Sequence, residues 1–167
     1  ITSINTFIFI IFFQIMKKNL VLKCILNPIQ LNTKYKETIF NYLKENYENK
    51  SVNAGYIVNI ISIKEFIHNT ICNGNIIIKL LCYCDVFKPS VGDIVNCKVN
   101  MIHLNGIFVS IYNIKILLPN KDNIFNIQNN ICIYNNRNIN IGDYIKVVIK
   151  NIRFDNFNYT CIGNIIK

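Results

Sequence analysis

Tryptophan is absent from this chain, and histidine (two), proline (three) and glycine (six) are scarce. The glycines stand singly and none is followed by a Lys-Ser or Lys-Thr pair, which excludes a glycine-rich phosphate loop. His68 and His103 have no cysteine or aspartate at motif spacing, so neither nucleophilic catalysis nor a zinc centre is expected of them. Acids number nine against 18 Lys and Arg, and Asp93, Asp143 and Asp155 all fall at turn signals. No enzymatic activity, cofactor or metal is expected.

Seven cysteines (24, 72, 82, 84, 97, 132 and 161) form no C-x-x-C pair. Their odd number and scatter through apolar runs predict small buried hydrophobes in a reducing compartment. The closest pair, Cys82 and Cys84, is expected to face opposite sides of a strand.

Hydrophobic residues make up 51% of the 167 positions, enough for a packed core, and disorder is not expected. The net charge is +9. It is spread along the chain, with ten Lys against five acids through residue 89 and eight Lys or Arg against four acids after it. Such an excess suits a phosphate-bearing partner and equally suits an ordinary solvated surface. A bias toward Ile, Asn, Lys, Phe and Tyr indicates an AT-rich genome, so Asn-rich stretches such as Asn135-Asn136-Arg137-Asn138 are not read as designed sites.

Residues 1–15 are almost wholly apolar, yet Lys17 and Lys18 follow the run instead of preceding it, unlike a secretory signal. Fifteen residues are also short for a membrane span. Met16 is the expected initiator, with residues 1–15 an upstream extension; a membrane anchor is the competing expectation.

From Met16 the pattern predicts a strand over Leu20–Leu26 and a polar break at Asn27-Pro28. An amphipathic helix capped by Asn32-Thr33 and running from Lys34 to Tyr47 follows. A loop, a strand over Gly55–Ile63, a connection over Lys64–His68 and a strand over Asn75–Phe87 complete a β-α-β-β unit with a three-stranded sheet. Lys88-Pro89 breaks the sheet, because proline lacks a backbone donor, and Gly92-Asp93 turns the chain into a new region at residues 90–167. There the pattern is strands only, separated by turn signals, as in a small Greek-key barrel of the OB type. The fold class is thus α+β, an N-terminal domain over 16–89 followed by a C-terminal barrel.

An exposed barrel face can stack bases on aromatics and meet phosphates with cations. Alternation along Gly106–Tyr112 places Phe108, Ser110 and Tyr112 on one face and Ile107, Val109 and Ile111 on the other. Phe108 and Tyr112 are therefore the candidate stacking residues; the competing reading places Phe108 in the core and makes the lysines an ordinary solvated surface. Lys98, Lys115, Lys121, Lys146, Lys150 and Arg153 are the candidate phosphate contacts.

The order of parts resembles the stalk subunit of multisubunit DNA-directed RNA polymerases, the family of the eukaryotic seventh subunit and its archaeal and poxvirus-type equivalents. Val86-Phe87-Lys88-Pro89 before Gly92-Asp93-Ile94-Val95, the upstream Gly55-Tyr56-Ile57-Val58 and the closing Ile162-Gly163-Asn164-Ile165 carry the resemblance, which spans Lys17 to Lys167. It implies a truncated RNP-like N-terminal domain docked on the polymerase core and a C-terminal S1-type OB barrel near nascent RNA. On the same carry-over, Asn49, Lys50, Ser51, Val52, Asn53 and Ala54, leading into Gly55, form the docking tip. Phe87, Lys88, Pro89 and Gly92 form the interdomain joint. The implied partners are polymerase core subunits, a smaller stalk partner and RNA, with no membrane; the place of action is the site of transcription. A large DNA virus transcribing in a cytoplasmic factory suits the composition better than a nuclear cellular protein. The alternative is a freestanding S1/OB RNA-binding or translation-related protein.

Overall fold

The computed structural model describes residues 15–121, 124–128 and 131–166. The chain is mostly β with one α-helix among the described residues, and it divides into two compact units, one ending at Lys88 and the other beginning at Pro89. Residues 1–14 of the expected upstream extension lie outside the described residues.

In the first unit, β1 (Ile15–Leu26) is followed by α1 (Tyr35–Tyr47), β2 (Lys50–Val52), β3 (Gly55–Cys72) and β4 (Asn75–Phe87), and the sheet order is β1-β4-β3-β2. The sheet has four strands, not the expected three, because the polar segment before Gly55 folds back as a hairpin around Asn53-Ala54, pairing Val52 with Gly55. β1 also begins earlier than its apolar pattern, with Ile15 opposite Phe87.

Lys64–His68, expected to be a connection, continues β3. Four register shifts lie between Ile57/Asn59, Ile60/Ser62, Ile63/Glu65 and Phe66/His68. Each inserts an extra residue that bends and twists the strand, and this erases the two-residue alternation by which strands are recognised.

The core of this unit joins Leu22, Cys24 and Leu26 of β1, Ile39 and Leu43 of α1, Ile57 and Ile60 of β3, and alternate residues Ile78 to Val86 of β4. Cys82 and Cys84 belong to that alternation and are both buried on one face, correcting the expected opposition: residues two apart on a strand share a side. The helix cap also differs. Its N-cap is Lys34, with no side-chain cap bond, while Asn32 Oδ1 accepts only the Lys34 N–H at 2.9 Å. Asn27 instead caps the 3₁₀ turn Pro28–Gln30, in a reciprocal box with Gln30.

The C-terminal end of α1 ties together the two strands flanking β4. The Tyr47 hydroxyl donates to Lys23 O at 2.8 Å and accepts from Lys23 N at 3.2 Å, satisfying the backbone of edge strand β1. Glu48 turns to β3, where its Oε1 accepts the Ile60 N–H at 2.7 Å.

The second unit holds β5 (Ile94–His103), β6 (Gly106–Ile111), β7 (Ile114–Pro119), β8 (Asn126–Gln128), β9 (Ile131–Tyr134), β10 (Arg137–Ile139), β11 (Tyr144–Asp155) and β12 (Asn158–Ile165). Five of these close a barrel in the order β11-β12-β7-β6-β5. All barrel pairs are antiparallel except β12 with β7, an arrangement compatible with an OB-like barrel. The segment between β7 and β11 holds a small sheet of its own, β10-β9-β8. It is seated by buried Phe125, Cys132 and Ile139, with the Phe125 ring 5.6 Å from that of Tyr134.

Inward positions follow the alternation. Val95, Cys97 and Val99 of β5, Ile107, Val109 and Ile111 of β6, Ile114, Ile116 and Leu118 of β7, and Val147 and Ile149 of β11 are buried. At about 1.5–3 kcal/mol for each large aliphatic side chain removed from water, they supply most of the drive to close the barrel.

Gly-Asp turns enter β5 and β11 in the same way. Ser90 N donates to Asp93 Oδ2 at 2.8 Å and Asn140 N donates to Asp143 Oδ2 at 2.8 Å. Gly92 N and Asp93 O then bond Ile149 of β11 at 2.8 and 2.9 Å, while Gly142 N and Asp143 O bond Val99 of β5, both at 2.8 Å.

Candidate nucleic-acid interface

Strand register places the outward side chains of the barrel in transverse rows. One row runs Tyr144, Lys98, Ser110, Lys115, Thr160, Arg153, each residue directly opposite the next on the neighbouring strand. It leaves β11 at Tyr144 and returns to β11 at Arg153, the stagger a closed barrel requires. Lys98, Lys115 and Arg153 are exposed, and neighbouring strands lie about 4.8 Å apart, so the row is a cationic belt.

A second row, two residues along, runs Met101, Phe108, Leu117, Ile162, Asn151. Phe108 is 37% exposed and Met101 and Ile162 slightly more, so one aromatic stands among aliphatic neighbours beside the belt. Between the rows, Asn100 is the extra residue of a β5 bulge, and its Nδ2 donates to Ser110 Oγ at 2.8 Å. The β5–β6 turn carries exposed Leu104 beyond the Phe108 row, and the β11–β12 turn carries exposed Phe157 beyond the Thr160–Arg153 row.

The structure therefore brings Lys98, Lys115 and Phe108 together on the adjoining strands β5, β6 and β7, while Arg153 lies two strands beyond Lys115 around the barrel. It does not bring Tyr112 there: β6 ends at Ile111, and Tyr112 sits in a two-residue turn at φ 52°. The strand alternation assumed for Tyr112 stops where the chain reverses. Lys150 is the extra residue at the β11 bulge between Ile149 and Asn151, so it stands next to the end of the Phe108 row. Lys146 is exposed opposite Asn96, two residues from Tyr144. Lys121 is exposed outside the barrel ladder, after Asn120, which bonds the backbones of Leu104 and Phe125.

Arg153 is engaged by Asp155 at 2.9 Å, but both side chains are largely exposed. An ion pair so solvated is worth little and yields readily to a phosphate. Sequence reading missed Tyr144, Thr160, Met101 and Ile162, whose membership of these rows depends on which strands become neighbours; Phe157 was legible only as an aromatic beside a turn signal.

Of the expected docking tip, Asn49 lies at φ 59° and its N–H bonds Ile57 O at 2.8 Å; Lys50, Ser51 and Val52 form β2; Asn53-Ala54 turn the chain; and Gly55 is buried. Lys50 Nζ bonds Glu45 O at 3.1 Å, tying the hairpin to α1. Gly55 has φ +137°, and a Cβ there would stand 2.5 Å from Val86 Cγ1 and 2.8 Å from Phe87 O, so no other residue fits. Of the expected joint, Phe87 and Pro89 are buried, Lys88 is exposed, and Gly92 belongs to the turn latched onto Ile149.

All seven cysteines are free and only Cys72 is exposed. Burial pushes the Cys84 and Cys97 thiols up to about 12 and those of Cys24, Cys82 and Cys161 to about 11. Such thiols are inert as nucleophiles at neutral pH. Among the described residues no helix is long and apolar enough to cross a membrane.

Compared with known proteins, the chain matches no protein-family model and no curated sequence.

Proposed function

We propose that this chain is a noncatalytic stalk subunit of a multisubunit DNA-directed RNA polymerase. Its first unit is an RNP-like module that docks on the polymerase core through the β2–β3 hairpin. Its S1-type OB barrel stands near nascent RNA.

The observation that carries the reading is how the resembling segments meet. Gly55-Tyr56-Ile57 pairs with Val86-Phe87, with Gly55 closed against the Val86 side chain. The Gly92-Asp93 turn bonds Ile149, and Ile149 pairs with Gly163 of the closing Ile-Gly-Asn-Ile segment. A Cβ on Gly163 would stand 2.6 Å from Val147 Cγ1 and 2.8 Å from Val148 O. Segments far apart in sequence thus serve as two contact pairs, one in each unit, and need their glycines for it. The belt and Phe108 supply the phosphate and base contacts that a barrel beside a transcript uses.

The test is affinity purification of the full chain from its native source at mild salt. Recovery of the large polymerase subunits is expected; their absence overturns the reading. The belt by itself also favours a freestanding RNA-binding protein. That reading requires tight RNA binding by the isolated chain, steeply weakened by salt, without polymerase subunits in the purification.

A further inference from the structure

The region between β7 and β11 builds a groove that the Phe108 face does not use. Its volume is about 770 Å³, within the range of small-ligand sites, and its walls come from the β9–β10 hairpin, the β10–β11 turn, the start of β11 and the end of β12 at Ile165 with Ile166 after it. Tyr134 and Tyr144 supply aromatic surface, and Arg137 and Lys146 supply cationic charge. Tyr144 is 62% exposed. The Tyr134 ring is braced by Phe125.

One carboxylate, that of Asp143, also lines the groove, but its Oδ2 holds the Asn140 N–H at 2.8 Å. That turn is fixed to β5 through Gly142 and Val99, so the acid is committed to backbone and the wall is rigid. The groove is also continuous with the belt, because Tyr144 is the first member of the row that runs through Lys98 to Arg153.

We propose that this groove is a second subsite for single-stranded RNA, with bases stacked on Tyr144 and Tyr134 and phosphates met by Arg137 and Lys146. The proposal rests on the reading that the barrel faces RNA, and it extends the strand's path beyond Phe108 along the belt. One exposed ring, one half-buried ring and two cations in one trough suit a flexible strand with planar bases. A duplex would present its bases stacked and out of reach of the tyrosines.

The test uses the full-length chain with fluorescent oligouridylates of about 4 and 12 nucleotides, the span that OB barrels cover. Tyr144→Ala and the double variant Arg137→Ala/Lys146→Ala, all exposed positions, are compared with Phe108→Ala/Lys115→Ala after a thermal melt has verified folding. The groove variants are expected to lower 12-mer affinity about tenfold, more than they lower 4-mer affinity, while the Phe108 variant weakens both alike. Unchanged 12-mer affinity in the groove variants, with the Phe108 variant impaired, overturns the second subsite and leaves the first interface standing. Loss of binding only in the groove variants supports the subsite and removes the Phe108 face. Failure of the wild-type chain to bind either oligomer at low salt overturns both, without bearing on recovery of polymerase subunits in the purification.

Discussion

Asp93 and Asp143 do the same work at symmetric places: each carboxylate accepts, at 2.8 Å, the backbone N–H three residues before it, and each backbone carbonyl then accepts an N–H from the strand that the other turn begins. β5 and β11 are therefore latched at both ends of their shared ladder by one device used twice. The consequence is energetic as well as geometric, because a carboxylate acceptor makes a stronger bond than a neutral one.

Asp93→Ala and Asp143→Ala should each destabilise the barrel by about 1–2 kcal/mol. The double variant should depart from additivity, since both latches close the same strand pair. Urea unfolding of the two single variants and the double variant measures this; unchanged midpoints would remove the latch.

Gly163→Ala should be costlier than a typical surface change. The new methyl would meet Val147 Cγ1 at 2.6 Å and Val148 O at 2.8 Å, a contact that backbone must yield to relieve. A loss of about 1–3 kcal/mol, seen as a Tm lower by several degrees, is expected. An unaltered Tm would show that β12 can shift away from β11.

Tyr47→Phe should lower stability of the first unit by about 1 kcal/mol, because it removes both bonds to Lys23 while keeping the ring. Faster exchange of the β1 amides, read by hydrogen–deuterium exchange, should accompany it. Exchange unchanged at Lys23 would mean that water replaces the hydroxyl without loss.

Phe108→Ala with Lys150→Ala should reduce crosslinking to RNA and leave polymerase subunits in the purification. Replacement of the β2–β3 turn, Asn53-Ala54, by Gly-Ser should have the opposite pattern. Retained polymerase association in that turn variant, together with folded protein, would remove the hairpin from the docking role.

One thiol should react quickly with a thiol reagent in the native state, and it should be Cys72, exposed beside the β3–β4 turn. Stability should be insensitive to these groups near neutrality and fall as pH rises above 9. Unfolded thiols lose protons near their ordinary 9.0, whereas the folded ones are held up to about 11 or 12 by burial. The unfolded state then binds fewer protons, and alkali favours it. Denaturant midpoints measured from pH 7 to pH 11 that stayed level would contradict this.

The asparagine bias has a structural outlet that composition alone conceals. Asn53-Ala54, Asn73-Gly74, Leu104-Asn105, Tyr112-Asn113, Asn135-Asn136 and Asn156-Phe157 are all two-residue turns between paired strands, and every one contains an asparagine. Asn73, Asn135, Asn136 and Asn156 have positive φ, a conformation that asparagine tolerates better than most residues.

By itself the sequence determined the local features: Ile107, Val109 and Ile111 as a buried set, the helix that ends at Tyr47, the strand-only second half, and the buried cysteines other than Cys72. These follow from side-chain period and polarity, which act over a few residues. Tertiary structure alone decided which outward residues share a surface. Tyr144, Lys98, Ser110 and Lys115 are strangers in sequence and fall in one transverse row only because strand register sets each opposite the next. It also decided that Tyr112 leaves the face at a turn, that bulges carry β3 through Lys64–His68, and that Glu48 turns inward to hold Ile60. Register, bulges and closure are properties of strand pairs, and a pair does not exist until the chain has folded.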